Sequence, residues 1–135
     1  MLRSIRACDK ITGVKMLNKT REVSKPWGKE TIWAETKDYV GKFLHINEGH
    51  RLSLQYHEAK EETIHVLKGR LELFTSEAGS RYGMMTRVLE EGETFHVIPN
   101  TIHRFAATQG TDVVLVEVST PLLDDVVRIE DDYQR

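Results

Sequence analysis

The sequence predicts an all-β sandwich or barrel, and three observations carry that prediction. Short apolar or alternating runs recur from Thr31 to Ser119. Glycine, proline and asparagine punctuate the gaps between them. No long segment repeats its apolar residues at a helical period. Many short strands separated by turn signals pack as sandwiches or barrels.

The elements follow in order. Thr31 to Ala34 and Tyr39 to Ile46 open the series, and Asn47-Glu48-Gly49 breaks it. Leu52 to His57 comes next, then Thr63 to Leu67, then a break at Lys68-Gly69. Leu71 to Thr75 and Met84 to Leu89 flank Ala78-Gly79-Ser80. Glu91-Gly92 precedes Thr94 to Ile98, and Pro99 precedes His103 to Ala107. Gln109-Gly110 leads into Val113 to Ser119. Leu122 to Ile129 reads either as a helical turn or as another edge strand.

Side chains alternate across a strand. In Leu52 to His57 this puts Leu52, Leu54 and Tyr56 on one face and Ser53, Gln55 and His57 on the other. With the polar face turned to an interior site, the apolar face needs cover from the N-terminal strands or from a second subunit. A homodimer is therefore expected.

A chain of 135 residues suits one domain with one core. That domain is expected at residues 21–135, after a polar, flexible arm at residues 1–20, with Met16 as an alternative natural start. The formal net charge of −2 does not indicate nucleic acid as a partner. No apolar run approaches the ~20 residues of a membrane span. The opening residues 1–6 lack the apolar stretch of a secretory signal. The single cysteine, Cys8, excludes an intrachain disulfide and fits a reducing compartment, so a cytoplasmic protein is expected.

One constellation carries chemistry. Gln55 and His57 share a strand face, Glu62 follows after a bend, and His103 lies in a strand-like stretch after Pro99. Two imidazoles, one carboxylate and one amide oxygen suit a divalent transition metal, whether Zn, Mn, Fe, Co or Ni. Gln55, being neutral, is either the weakest ligand or a group that orients substrate. His65 is one residue out of phase with Glu62 and Ile64 and reads as outward-facing. His45, His50 and His96 have no partner at ligand spacing, although His50 lies in the turn beside the site. Glu117, inside an apolar strand, calls for a salt-bridge partner. Trp27 and Trp33 read as packing residues, and Glu130-Asp131-Asp132 as a solvated charge run.

The spacing of these residues resembles the cupin family. Gly49, Gln55, His57, Glu62 and Gly69 fall on the frame of its first motif, with Gln55 where a histidine usually stands. Gly92 and His103 fit the second motif, in which Ile98 and Asn100 replace Pro and Gly around Pro99, and Ala107 replaces Asn. Lys25-Pro26-Trp27-Gly28, Leu52 to His57 and the tail Asp124 to Arg135 narrow the resemblance to the C-terminal cupin domain of type II mannose-6-phosphate isomerases. That domain is often fused to a mannose-1-phosphate guanylyltransferase. The resemblance implies a cupin-type double-stranded β-helix, or jelly roll, with a metal on Gln55, His57, Glu62 and His103. It also implies a sugar-phosphate ligand and aldose–ketose isomerisation, with Trp27 as a wall for the substrate. Lys60 stands where that family has an arginine two residues before the glutamate.

Such an isomerase moves a proton between adjacent carbons, which needs a Lewis acid and a base. A metal-bound Glu62 is a poor base. The catalytic candidates near the 49–62 loop are Lys60, Glu48 and Arg51, and Arg51 or Lys42 is the candidate for holding a phosphate. Arg104 alternates outward from His103 and is the weaker phosphate candidate. Two other classes stay open. His57, Glu62 and His103 also make the two-histidine, one-carboxylate set of a non-haem iron dioxygenase. A non-catalytic sugar-binding cupin, partner to a separate nucleotidyltransferase, fits the replacement of the family's histidine-rich run by Glu58-Ala59-Lys60-Glu61.

Overall fold

A computed structural model describes Gly13 and residues 15–76 and 83–135. Most of the expected arm at residues 1–20, with Cys8, and the expected turn Ala78-Gly79-Ser80 lie outside the described residues. The strands are β1 (Arg21–Lys25), β2 (Gly28–Glu35), β3 (Val40–Ile46), β4 (Leu54–Tyr56), β5 (Glu62–Lys68) and β6 (Leu71–Ser76). They continue as β7 (Met85–Leu89), β8 (Thr94–Val97), β9 (Ile102–Ala106), β10 (Val113–Ser119) and β11 (Val127–Glu130). The all-β expectation holds, with no helix among the described residues.

Two antiparallel sheets form the jelly roll. One has six strands in the order β1-β2-β3-β10-β5-β8 and the other five in the order β11-β4-β9-β6-β7. Alternation fills the space between them. Ile64, Val66, Leu44 and Leu115 from the first sheet meet Leu71, Leu73 and Phe105 from the second. β1 escaped the sequence reading because Arg21–Lys25 carries almost no apolar signal. It lies at a sheet edge and pairs only with β2. In the segment Leu122 to Ile129 a short turn at residues 123–124 leads into edge strand β11 from Val127, with no helix.

The strand expected over Leu52 to His57 is shorter and irregular. Only Leu54–Tyr56 is regular, and Arg51 makes an isolated bridge to Ala106. The irregularity at Leu52 and Ser53 breaks the alternation. Leu52 turns into the core and lines the same cavity as Gln55 and His57, rather than joining an outer apolar strip with Leu54 and Tyr56. Leu54 is itself buried within the single chain.

Two backbone positions shape the site. Lys25 pairs with Gly28 around the two-residue turn Pro26-Trp27, and that turn tucks Trp27 into the core at 2 % exposure. Gly28 has φ +151°, and a Cβ there would lie 1.9 Å from the His45 carbonyl oxygen, so only glycine fits. Asn100 takes φ 66° where the cupin motif has glycine. Asparagine is among the few residues that tolerate this conformation. The amide of Thr101 closes the turn by donating to Ile98 at 3.3 Å, with Pro99 at its second position.

Candidate metal centre

Neighbouring strands bring the site together row by row. Gln55 on β4 pairs with His103 on β9. Glu62 begins β5 in the opposite sheet, and His57 follows directly after β4. The Asn100 amide donates to the His57 carbonyl at 2.7 Å, so the turn after β8 holds the end of β4. His57, Glu62 and His103 each offer a ligand atom within 4.8 Å of the others, and all three are buried.

The hydrogen bonds fix both imidazole tautomers. His57 Nδ1 lies 2.5 Å from the Asp125 carbonyl and His103 Nδ1 2.8 Å from the Thr101 carbonyl. A carbonyl only accepts, so each Nδ1 carries a proton, and in the neutral imidazole the lone pair then falls on Nε2. Those Nε2 atoms face Glu62 Oε1, at 3.7 Å from His57 and 3.3 Å from His103. His103 Nε2 makes no well-aligned hydrogen bond to any described residue. Backbone carbonyls behind the rings, lone pairs in front and a carboxylate between them fit a divalent metal. Gln55 stands alongside, with its amide nitrogen 3.5 Å from His57 Nε2 and its oxygen accepting from the Ser53 hydroxyl at 2.7 Å. Ligation by Gln55 therefore requires its amide to turn over.

Behind the triad runs a buried chain of alternating charges. Lys60 Nζ lies 2.9 Å from Glu62 and 3.3 Å from Glu117. Lys42 Nζ lies 3.6 Å from Glu117 and 3.2 Å from Glu30. Burial disfavours the Glu62 carboxylate, but in the metal-free centre hydrogen bonds from His103 and His57 in their protonated forms, together with the Lys60 ammonium, hold its pKa well below the usual glutamate value. Burial and the nearby Glu62 push Glu117 upward against the pull of Lys60 and Lys42. Burial would lower Lys60, yet Glu117 and Glu62 raise it above the ordinary lysine value, so its ammonium persists. With neutral imidazoles the chain carries three carboxylates against two ammonium groups. Its single excess negative charge suits an added cation.

The expected residues divide clearly. Lys60 lines the cavity in front of the triad, and so does Trp27, as the family resemblance implied. Glu48 and Arg51 do not. Glu48 is exposed in its turn. Arg51 donates Nε and Nη2 to Asp132 at 2.6 and 2.9 Å, because the irregular backbone after it undoes the parity that aligned it with Gln55. Lys42 is buried between two carboxylates. Arg104 is a structural residue, donating to the Leu52 and Glu130 carbonyls at 2.9 and 3.2 Å. Glu117 has the salt-bridge partners its burial demanded, and His65 is only partly buried on the outer phase of β5. Lys25, Glu30, Arg128 and Arg135 also line the cavity, although no local pattern in the sequence marks them for the site. Parity gives one usable signal: Lys42 and Glu117 interrupt the inward apolar series of β3 and β10.

The family model described as mannose-6-phosphate isomerase C-terminal matches residues 12–131. A curated relative is the mannose-1-phosphate guanylyltransferase RfbM of Salmonella typhimurium, 27% identical over 113 residues. The match covers 82% of this chain but only 22% of the relative's length. Among solved structures, the capsular polysaccharide assembling protein CapF of Staphylococcus aureus aligns with TM-score 0.73 at 15% identity, over 86% of this chain and 36% of that one. A Klebsiella pneumoniae protein with a double-stranded β-helix domain aligns with TM-score 0.61 at 19% identity, over 76% of this chain and 84% of that one.

Proposed function

We propose that this chain, which belongs to the mannose-6-phosphate isomerase C-terminal family, binds a phosphorylated hexose beside a divalent metal ion and interconverts its aldose and ketose forms. The observation that carries this reading is the buried His57–Glu62–His103 triad, with both Nε2 lone pairs preset, next to a cavity that Lys60 also lines. Gln55 completes the ligand set once its oxygen turns from Ser53. A divalent cation held there supplies Lewis acidity toward a sugar carbonyl or hydroxyl oxygen. Lys60, aimed by Glu62 and Glu117, donates a hydrogen bond to a sugar oxygen, and Glu117 beside it takes the carbon-bound proton and returns it to the adjacent carbon. Trp27, Leu52 and Phe105 form apolar wall that limits water around the reacting carbons.

Metal analysis of the purified protein comes first. Incubation with mannose 6-phosphate or fructose 6-phosphate in heavy water should then place deuterium at C1 or C2. Absence of both binding and exchange rejects the proposal. One observation favours a second reading, a non-catalytic sugar-binding domain: Lys60 is engaged by two carboxylates at once. Binding without exchange would select it. Bound iron with oxygen uptake would instead assign the same three ligands to a dioxygenase.

Assembly as a homodimer and a cytoplasmic location belong to the same reading. No helix among the described residues is long and apolar enough to cross a membrane. Support for a dimer comes from the exposed Trp33, Tyr39 and Val118, at 44%, 55% and 48%, rather than from the strip expected on β4. Sedimentation at micromolar concentration should show a dimer, and a monomer alone would reject it.

A further inference from the structure

Resting on the sugar-phosphate reading, we infer that Lys25 and Arg128 grip the phosphate of the substrate, at the end of the sugar remote from the metal. Arg51 and Lys42, the cations that the sequence suggested for a phosphate, are already engaged. Arg51 is bound to Asp132 outside the cavity lining, and Lys42 is buried between Glu30 and Glu117. Three further cations line the cavity: Lys25, Arg128 and Arg135. Arg135 is paired with Asp131 at 2.8 Å. Lys25 and Arg128 have no acidic partner among the described residues. Lys25 is half-buried and Arg128 exposed, which places both at the rim.

Strand register sets their distance from the chemistry. Arg128 on β11 pairs with Gln55 on β4, which pairs with His103 on β9. Two inter-strand steps separate the Arg128 and His103 backbones by ~9–10 Å. Side chains stand roughly perpendicular to a sheet, so this lateral separation is carried into the cavity, where it suits a six-carbon sugar with its reacting end at the triad. Lys25 approaches from the other sheet, at the β1–β2 turn that also sets Trp27. The cavity thus has a cationic grip contributed by both sheets, as a phosphate dianion requires. A 1-phosphate held with its C1 end at the triad would instead carry its charge away from Lys25 and Arg128. The grip therefore selects hexose 6-phosphates over hexose 1-phosphates.

Calorimetric titration of the metal-loaded protein tests this with four probes: mannose 6-phosphate, mannose 1-phosphate, mannose and inorganic phosphate. Lys25→Gln and Arg128→Gln should each weaken mannose 6-phosphate and inorganic phosphate about tenfold or more, with Arg128→Lys intermediate. Metal content, far-ultraviolet spectrum and affinity for mannose should not change. Wild-type affinity for mannose 6-phosphate in both glutamine variants would overturn the grip, as would a wild-type protein that binds neither phosphate probe. Preference for mannose or mannose 1-phosphate would also overturn it while leaving a sugar site in place. Loss of phosphate binding in the variants, in a protein that exchanges no deuterium, would uphold the grip and reject isomerisation instead.

Discussion

Asp125 holds His57 from 68 residues away in the chain. Its carbonyl accepts the His57 Nδ1 proton, while its carboxylate accepts the backbone N–H groups of Glu58, Ala59 and Lys60 at 3.0, 2.8 and 2.8 Å. One residue therefore fixes both the ring that faces the metal position and the loop that carries Lys60.

Asp125→Asn should lower metal affinity about tenfold, as loss of support behind a ligand commonly does, measured by competition with a chelator. The effect should depend on pH. The amides of Glu58, Ala59 and Lys60 hold the Asp125 pKa below the usual 3.8. A depressed pKa gives stability that is complete above the unfolded value and disappears as pH falls through the folded one. Melting temperatures of wild type and Asp125→Asn should differ at neutral pH and converge below about pH 4. A gap that widens in acid would contradict this assignment.

His57→Ala and His103→Ala should each abolish stoichiometric metal, a larger loss than the ~10–100-fold expected from an outer partner. Gln55→Ala should lower affinity without abolishing it. Full occupancy in either histidine variant, read by metal analysis, would place the metal elsewhere.

Removing Glu117 should destabilise the fold strongly. Its carboxylate is 3% exposed and stands between Lys42 and Lys60. Glu117→Ala leaves buried ammonium groups without a shared partner and should cost about 3–5 kcal/mol in urea unfolding. Arg21→Ala, which breaks only the exposed pair with Glu35, should cost under about 1 kcal/mol.

Gly28→Ala should cost on the order of 2–4 kcal/mol, because its Cβ would meet the His45 carbonyl. As the β1–β2 turn shifts, Trp27 should become more exposed than its present 2%. Tryptophan fluorescence that stays unchanged in a folded Gly28→Ala protein would argue against this role for the turn.

Strands with one apolar face were legible in the sequence. Val113–Ser119 and Glu62–Lys68 alternate as their burial does. β1 was not, because an edge strand can be polar on both faces. The clustering of His57, Glu62 and His103 was legible because ligand spacing survives small errors of register. Arg51 was misplaced because parity arguments assume an unbroken strand, and Leu52-Ser53 breaks it. Arg128 was hidden for another reason: its place beside Gln55 depends on a pairing between distant segments that no local pattern encodes.

The β3–β10 and β4–β11 pairings also order events in time. His57 and Glu62 leave the ribosome long before Asp125 and Arg128. Until β10 arrives, β3 has an unpaired edge, and until β11 arrives the His57 ring has no carbonyl behind it. Such distant pairings fold slowly, on the order of milliseconds to seconds. A metal ion offered to the growing chain would meet side chains that are present but not yet aimed, so on the proposed reading loading follows completion of the fold.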